Sequence, residues 1–380
     1  MAKLPHKITF GSPGIQMPPL DNVIRLAQRN EEQGYEIAWW PDHLMGFYPS
    51  SLWTPDLTDM ALTQENPHLY LDPFVAMAAA GLHTKTIKIG TLVTEPLRRH
   101  PAVLAQSFLS VDHASKGRCI AGIGTGEGLN TLPYGIPFDK PVSRLAEALK
   151  IIRMLWETDQ PVSYEGEFWT LKDAVLGLGP YNPGKYPPIW VASHGPRMLE
   201  ITGQFGDGWI PQMLDPQEYG SKLKQIRQAA GKAGRDPNAI RAGLTALLVI
   251  AKTHEEAHKL LENPFVKVLS VLFPSDMYLK YAGVPHPLGH PFNGFNSWIP
   301  TRFSREAALE VIDKIPSEVV HETIFHGSPE DLAEQVINFG HQGMQHAALW
   351  NMTYCAGMDH LRPSFNLMVE LLKYVDQASA

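Results

Sequence analysis

Residues 118–130 read RCIAGIGTGEGLN, an apolar run that ends in a glycine-rich turn. The run from Arg118 to Ile123 is typical of a buried strand. A dinucleotide-binding G-x-G-x-x-G turn would need its third glycine where this chain has Glu127 or Leu129. Such a turn also follows the first strand of its domain, whereas three apolar runs precede this one. The segment therefore argues against a Rossmann fold and for a sheet in which this strand is the fourth.

Similar apolar runs lie on both sides of this segment and alternate with helix-like stretches. We expect strands at residues 7–10, 36–40, 87–93, 118–123, 189–193, 208–211, 244–251 and 347–351. Strands that alternate with helices form parallel sheets, and eight such units favour a closed (β/α)₈ TIM barrel of the α/β class over an open sheet. We expect one barrel domain over residues 1–380, with a small hairpin at 161–171. Long irregular inserts are expected after strand 2 (about 44–71) and before strand 8 (about 264–326), and such inserts are usually functional.

The composition excludes several classes of protein. The 380 residues include 32 basic and 39 acidic side chains, a formal charge of −7, which is not the clustered positive charge of a nucleic-acid-binding protein. Two cysteines are too few for a disulfide framework or a cysteine-rich zinc site. The first residues lack the apolar core of a signal peptide, and no apolar run approaches the ~20 residues of a membrane span. We expect a cytoplasmic protein without nucleic-acid partners or stable membrane insertion.

Candidate catalytic residues follow the predicted strands, because barrel chemistry takes place at the strands' C-terminal ends. Asp42 and His43 follow the second strand. His43 can act as an acid or base near neutral pH, although a capping aspartate beside a packed histidine is the simpler interpretation. Glu127 follows the fourth strand, where its carboxyl can pair with the histidine in proton transfer or only cap the next helix.

Residues 194–197 (HGPR) mark a strand-to-helix turn that could bind an anion. A helix N-terminus presents free N–H groups, Gly195 lets a ligand approach the backbone, and Arg197 can add a phosphate contact. An ordinary turn with proline in the first helical position explains the same residues equally well.

A metal site is not expected. His286 and His290 are four residues apart, but the proline and glycine between them make a helix there improbable, and no H-E-x-x-H pattern is present.

Together these motifs resemble the luciferase-like oxidoreductases that use a flavin or a deazaflavin. The matching stretches span the chain: 41–43 (PDH), 89–94 (IGTLVT), 100–106 (HPAVLAQ), 122–130 (GIGTGEGLN), 206–209 (GDGW) and 327–332 (GSPEDL). The pattern G-T-G-E-x-L-N is similar to the branch that uses the deazaflavin coenzyme F420. Residues 192–199 (ASHGPRML) are similar to the lipid ketoreductases of that branch.

The resemblance implies a role for each matching residue. His43 matches the proton donor or acceptor, and Glu127 matches the carboxyl that handles the proton at the ring nitrogen. The residues that match coenzyme-binding positions are Asp42, Thr94, Thr125, Gly126, Asn130, His194, Gly195, Arg197 and Met198. The resemblance also implies a homodimer and often a cis peptide bond at the position of Leu92–Val93.

The chain departs from the family's glucose-6-phosphate dehydrogenases after the sixth strand. Those enzymes hold the substrate phosphate there with a threonine and a lysine, whereas residues 211–214 (PQML) carry no cation. Apolar side chains are instead concentrated in the two inserts. We expect Phe47, Met213 and Trp298 to line a pocket for an apolar or lipid-like small molecule.

These observations predict an F420-dependent oxidoreductase that transfers a hydride between the deazaflavin and a carbonyl or secondary alcohol carbon, most consistent with a ketoreductase. Two alternatives remain open. One is an FMN-dependent monooxygenase of the luciferase type, and the other is a non-catalytic coenzyme carrier.

Overall fold

The computed structural model describes residues 3–14, 16–212 and 214–379. The strands in these ranges are β1 (Thr9–Pro13), β2 (Ile37–Trp40), β3 (Lys88–Thr91), β4 (Cys119–Ile123), β5 (Val162–Glu165), β6 (Thr170–Ala174), β7 (Ile189–Val191), β8 (Gly208–Trp209), β9 (Arg241–Ile250), β10 (Phe325–Gly327) and β11 (His346–Asn351). The helices are α1 (Leu20–Glu32), α2 (Pro73–His83), α3 (Pro101–Ala114), α4 (Pro141–Glu157), α5 (Pro196–Phe205), α6 (Pro216–Lys232), α7 (His254–Leu261), α8 (Pro264–Lys267), α9 (Ser275–Ala282), α10 (Arg305–Asp313), α11 (Ser317–Thr323), α12 (Pro329–His341) and α13 (Leu361–Ala378). None of the helices in these ranges combines the length and apolar character needed to cross a bilayer.

Parallel strands close into a barrel in the order β1, β2, β3, β4, β7, β8, β9 and β11. The ends of the sheet meet where β11 pairs with β1 and where Trp209 of β8 lies opposite Ala242 of β9. A helix follows each barrel strand along the chain. The predicted (β/α)₈ barrel is therefore confirmed, as is the hairpin, which is formed by β5 and β6.

The structure differs from the expectations mainly at the inserts. The second insert is not irregular, because it contains helices α8 to α11 and the short strand β10, which extends the sheet beside β9. Strand β1 starts later than expected and runs on to Pro13, because residues 11–13 pair with β2. The assignment of residues 1–380 to a single domain stays a prediction.

Two tryptophans form much of a small buried cluster contributed by several barrel strands. The rings of Trp39 and Trp190 lie 5.5 Å apart, and both are at most 2% exposed. Neighbouring strands carry glycine where these rings approach. A Cβ on Gly11 would lie 2.4 Å from Trp39 Nε1, and a Cβ on Gly208 would lie 2.4 Å from Trp190 Cδ2. The bulk of the indoles thus dictates small residues on the adjacent strands.

His346 belongs to this buried region as a neutral side chain. Its Nε2 accepts a hydrogen bond from Trp39 Nε1 at 3.1 Å, so Nδ1 carries the hydrogen and donates to Thr9 Oγ1 at 2.9 Å. Burial lowers the pKa of His346 to about 4.

The two inserts pack against each other through a second apolar cluster. Tyr48 of the first insert donates a hydrogen bond to Phe265 O at 3.0 Å, and Trp298 Nε1 of the second insert donates to Phe47 O at 2.7 Å. A Cβ on Gly128 would lie 2.1 Å from Asn296 O, so the second insert rests directly on the turn after β4.

Candidate active site

The predicted site residues lie at one end of the barrel, where its strands end. Asp42 and His43 follow β2, Thr94 follows β3, and Glu127 lies in the turn after β4. His194 follows β7, which pairs with β4. Because neighbouring parallel strands end at the same edge, folding brings these turns together from distant parts of the sequence.

Asn130 joins the two residues predicted to transfer protons. Its Oδ1 accepts hydrogen bonds from the backbone N–H groups of Leu44 (2.7 Å) and Met45 (3.1 Å), which fixes the orientation of the amide. Its Nδ2 therefore donates, to His43 Nδ1 at 3.0 Å and to Glu127 Oε2 at 3.0 Å. Asn130 is only 2% exposed. The structure thus shows Asn130 in contact with both side chains, and the coenzyme contact that the resemblance implied for it stays a prediction.

The protonation state of His43 decides which of its contacts can form. Nδ1 lies 3.0 Å from the Asn130 donor and 3.2 Å from the acceptor Met45 O. It accepts from Asn130 when the hydrogen is on Nε2 alone, and it donates to Met45 when Nδ1 is protonated. Glu127 Oε2 faces Nδ1 at 3.8 Å. Every hydrogen bond that His43 makes within the described ranges involves Nδ1, so Nε2 is available to a ligand.

Three protein side chains contact the carboxylate of Asp42. Thr94 Oγ1 donates to Oδ2 at 2.6 Å, Arg98 Nη2 lies 3.1 Å from Oδ1, and Arg99 also pairs with Oδ2. Burial favours the neutral form of Arg98, but the carboxylates of Asp42 and Glu95 raise its pKa above the usual value. Asp42 thus anchors the turn after β2, and its direct contact with a coenzyme stays a prediction.

Sequence reasoning missed the three charged partners Glu95, Arg98 and Arg99. Glu95 is 2% exposed, and its carboxylate accepts hydrogen bonds from the backbone of Leu97 and Arg98 and from the Arg98 side chain. The available signal was an acidic residue directly after a strand, with two arginines three and four positions later.

One backbone feature of the surrounding turns, a cis peptide bond, matches what the resemblance implied. The Leu92–Val93 peptide bond is cis. Gly126 has φ +82°, and a Cβ there would lie 2.8 Å from Glu95 Cγ, so glycine is required. Thr125 is half-buried beside it.

Aromatic side chains from the inserts surround His43. Phe47 packs against it edge-on with ring centres 5.0 Å apart, and Tyr70 lies 5.6 Å away. Burial, together with the nearby charge of Glu127, raises the pKa of Tyr70 to about 12, so this phenol keeps its proton at neutral pH. Phe295 of the second insert packs on Phe47 at 5.4 Å. The surroundings of the histidine are therefore apolar on the insert side.

Of the two predicted pocket residues that the structure describes, Phe47 packs directly against His43. Trp298 is 1% exposed, and it contacts the site through the hydrogen bond to Phe47 O. Its predicted contact with substrate stays a prediction. Met213 lies outside the described residues.

The N-terminus of α5 has the features expected of an anion site. Its N-cap Gly195 makes no capping hydrogen bond, and a Cβ there would meet nothing within 4 Å, so a ligand can approach the backbone. Pro196 has no N–H, and the first N–H groups belong to Arg197 and Met198. Arg197 is exposed and donates to Ser143 Oγ at 2.8 Å. The Met198 side chain is 7% exposed and packs in the core, so only its N–H can face a ligand.

The positive charge at this turn does not come from His194. Burial and the nearby ammonium of Lys222 lower the pKa of His194 to about 4, so the imidazole is neutral. Lys222 of α6, which sequence reasoning did not single out, donates to His194 O at 2.7 Å. Lys222 and Arg197 are the cations beside the N-terminus of α5.

Curated relatives cover most of the chain. The phthiodiolone/phenolphthiodiolone dimycocerosates ketoreductase of Mycobacterium tuberculosis H37Rv is 34% identical over 324 residues, 84% of each chain. The protein of the same name from Mycobacterium kansasii is 33% identical, over 84% of this chain and 87% of the relative. An F420-dependent hydroxymycolic acid dehydrogenase of M. tuberculosis H37Rv is 34% identical over 235 residues, 60% of this chain and 59% of the relative.

Solved structures agree on the fold. An F420-dependent secondary alcohol dehydrogenase in complex with an F420–acetone adduct has a TM-score of 0.72 at 20% identity, over 97% of this chain and 99% of the other. A long-chain alkane monooxygenase has a TM-score of 0.64 at 16% identity, over 98% and 97%. The profile of the luciferase-like monooxygenase family matches residues 4–346. Together with the curated relatives, this match shows that the chain belongs to the luciferase-like monooxygenase family.

Proposed function

We propose that this protein is a coenzyme F420-dependent oxidoreductase that interconverts a ketone and a secondary alcohol, acting as a ketoreductase on an apolar, lipid-like substrate. The observation that carries the proposal is the arrangement of His43, Asn130 and Glu127, with Nε2 of the histidine available for a substrate oxygen. The similarity to a phthiodiolone/phenolphthiodiolone dimycocerosates ketoreductase and to an F420-dependent hydroxymycolic acid dehydrogenase supports the same chemistry.

The residues at the end of the barrel fit a flat coenzyme with a phosphate-bearing tail. The open N-terminus of α5 would hold the phosphate through the N–H groups of Arg197 and Met198 and through the Arg197 guanidinium. The backbone of Thr125 and Gly126, with Thr94 behind it, would hold the ring. When bound, the coenzyme supplies or accepts the hydride.

His43 supplies and removes the substrate proton. In the reductive direction the imidazolium gives its Nε2 proton to the carbonyl oxygen as that oxygen becomes an alkoxide, and the neutral ring keeps the Nδ1 hydrogen bonded to Met45 O. In both of these states Nδ1 is protonated, so the Asn130 amide donates to Glu127 and not to His43. In the oxidative direction Nε2 takes the hydroxyl proton. The imidazole ring of His43 carries a positive charge while both of its nitrogens are protonated. The carboxylate of Glu127, 3.8 Å from Nδ1, faces that charge.

An apolar substrate fits the insert side of the site. Phe47 and Phe295 present aromatic surface next to His43, and residues 211–214 offer no cation for a substrate phosphate. Long hydrocarbon chains would bind against this surface through the hydrophobic effect, at about 0.8 kcal/mol per buried CH₂.

Rapid mixing with reduced F420 and ketones of increasing chain length tests the proposal. We expect oxidation of the coenzyme with ketones, without oxygen, and higher kcat/KM for longer chains. Binding of FMN but not F420, with an oxygen-dependent product, would support the monooxygenase instead. Binding of F420 without turnover of any ketone or alcohol would support a carrier.

The homodimer implied by the resemblance is proposed as well, and light scattering of the purified protein tests it.

A further inference from the structure

Four histidines meet on the side of the barrel where the second insert begins and ends. His254 and His258 lie one turn apart on α7, His321 lies on α11, and His326 lies on β10. One ring nitrogen from each of His254, His258 and His326 lies within 4.8 Å of the other two. The His321 ring lies 4.1 Å from that of His258. We refer to these four side chains as the histidine cluster.

One member of the cluster has a nitrogen held by a protein acceptor, which leaves its other nitrogen with a lone pair, and a second member has a nitrogen close to a carboxylate. His326 Nδ1 donates to Ile324 O at 3.0 Å. His254 Nδ1 lies 3.5 Å from Asp331 Oδ2, an oxygen that Ser328 holds through the capping box of α12. Metal-binding histidines characteristically donate their second N–H to a carbonyl or carboxylate in this way, which orients the ring and raises its basicity.

His321 adds an independent observation. Its Nε2 is buried and has no hydrogen-bond partner within the described ranges, and Glu262 Oε1 is 3.9 Å away. A buried nitrogen without a partner costs free energy unless something binds it.

We propose that His254, His258 and His326 bind one Zn²⁺ ion, with His321 next to the fourth coordination position. Three imidazole nitrogens suit zinc rather than calcium or magnesium, which prefer oxygen. With Zn–N bonds of about 2.0–2.1 Å, the ligand nitrogens of a tetrahedral site lie roughly 3.3 Å apart. Side-chain rotations that move each ring nitrogen by about 1 Å would therefore close the site. The proposal is independent of the function proposed for the His43 site.

The ion would join the two ends of the second insert. α7 precedes the insert, whereas α11 and β10 close it, and the same insert holds Phe47 through Trp298. A bound metal would therefore restrict the movement of the segment that covers the active site.

Titration of the chelator-treated full-length protein with Zn²⁺ by calorimetry tests the proposal. We expect one ion per chain, and at least a 100-fold weaker affinity in His258→Gln and in His326→Gln. The matched control is His341→Gln, an exposed histidine at the end of α12 outside the cluster, which should bind as the wild type does. A Co²⁺ complex with the absorption of a four-coordinate site would report the same geometry.

Hydrogen exchange provides a second measurement that does not depend on the variants folding equally well. Zinc should slow exchange in residues 317–327 of the wild type and not of His326→Gln. The proposal is overturned if the wild type binds no zinc at micromolar concentrations. It is also overturned if His258→Gln and His326→Gln bind as tightly as the wild type, or if the His341→Gln control loses binding equally.

Discussion

Replacing Asn130 by alanine separates the two roles that this residue can have. If Asn130 positions the proton-transfer residues, the change lowers kcat and leaves coenzyme affinity nearly intact. If it is only a coenzyme contact, the coenzyme dissociation constant rises and kcat at saturation stays near the wild-type value. The structure favours the first outcome, because each polar atom of the side chain is bonded within the protein.

The size of the effect follows from the four hydrogen bonds that are lost. One of them holds the carboxylate of Glu127, and another holds His43 when the imidazole hydrogen is on Nε2 alone. A hydrogen bond to a neutral or charged group contributes about 1 to 3 kcal/mol. If that energy is what keeps both side chains in the reactive arrangement, kcat falls roughly 5- to 160-fold, at about 1.36 kcal/mol per factor of ten. The other two bonds satisfy backbone N–H groups, and their loss should lower the free energy of unfolding by about 1–3 kcal/mol.

Steady-state kinetics with saturating coenzyme, equilibrium coenzyme binding and urea unfolding measure the three quantities. Asn30→Ala is the control for loss of a buried asparagine, because Asn30 lies on α1, away from the turns that carry the site. It should leave kcat unchanged. An Asn130→Ala enzyme with wild-type kcat and weakened coenzyme binding would refute the positioning role.

Three further outcomes are expected. His43→Ala should lower turnover about 10²- to 10⁴-fold without weakening coenzyme binding, and equal loss of both would contradict its role as an acid–base group. Arg197→Ala should weaken coenzyme binding about tenfold or more with kcat retained, as measured by fluorescence titration, and unchanged affinity would place the phosphate elsewhere. The folded-state pKa of His346, about 4, is below the unfolded value, so unfolding takes up a proton. Stability should therefore fall as the pH drops from about 6.5 towards 4. This slope should be shallower in His346→Gln during urea unfolding, and an unchanged slope would mean that other groups cause it.

The barrel could be predicted from the sequence because its signals are local. Short apolar runs marked all eight barrel strands, and their number indicated closure. The ends were less accurate, since β1 continues through Gly11 to Pro13 by pairing with β2, which no local pattern reveals. The helices of the second insert were missed because its many prolines and glycines masked them.

Part of the candidate site could also be predicted, because each residue follows a strand. The contacts that join these residues could not be predicted. Asn130 and Glu127 are 87 and 84 positions from His43 in the sequence and meet it only through folding. Spacing in the sequence drew attention to His286 and His290, whereas the histidines that folding brings together lie elsewhere. His286 is buried and stacks on Phe292 at 4.2 Å, whereas His254 and His258, spaced for one face of a helix, lie in the cluster.

The hydrogen bond from Trp298 to Phe47 O links segments that lie 251 positions apart in the sequence. Under the proposed function, both inserts would set the substrate range jointly. A chimera that took only one of them from a relative with a different substrate would pair mismatched surfaces and lose the support of Phe47. Residues 44–71 and 264–326 should therefore be exchanged together when specificity is redesigned. Substitutions that accumulate in one insert during evolution would likewise require matching substitutions in the other.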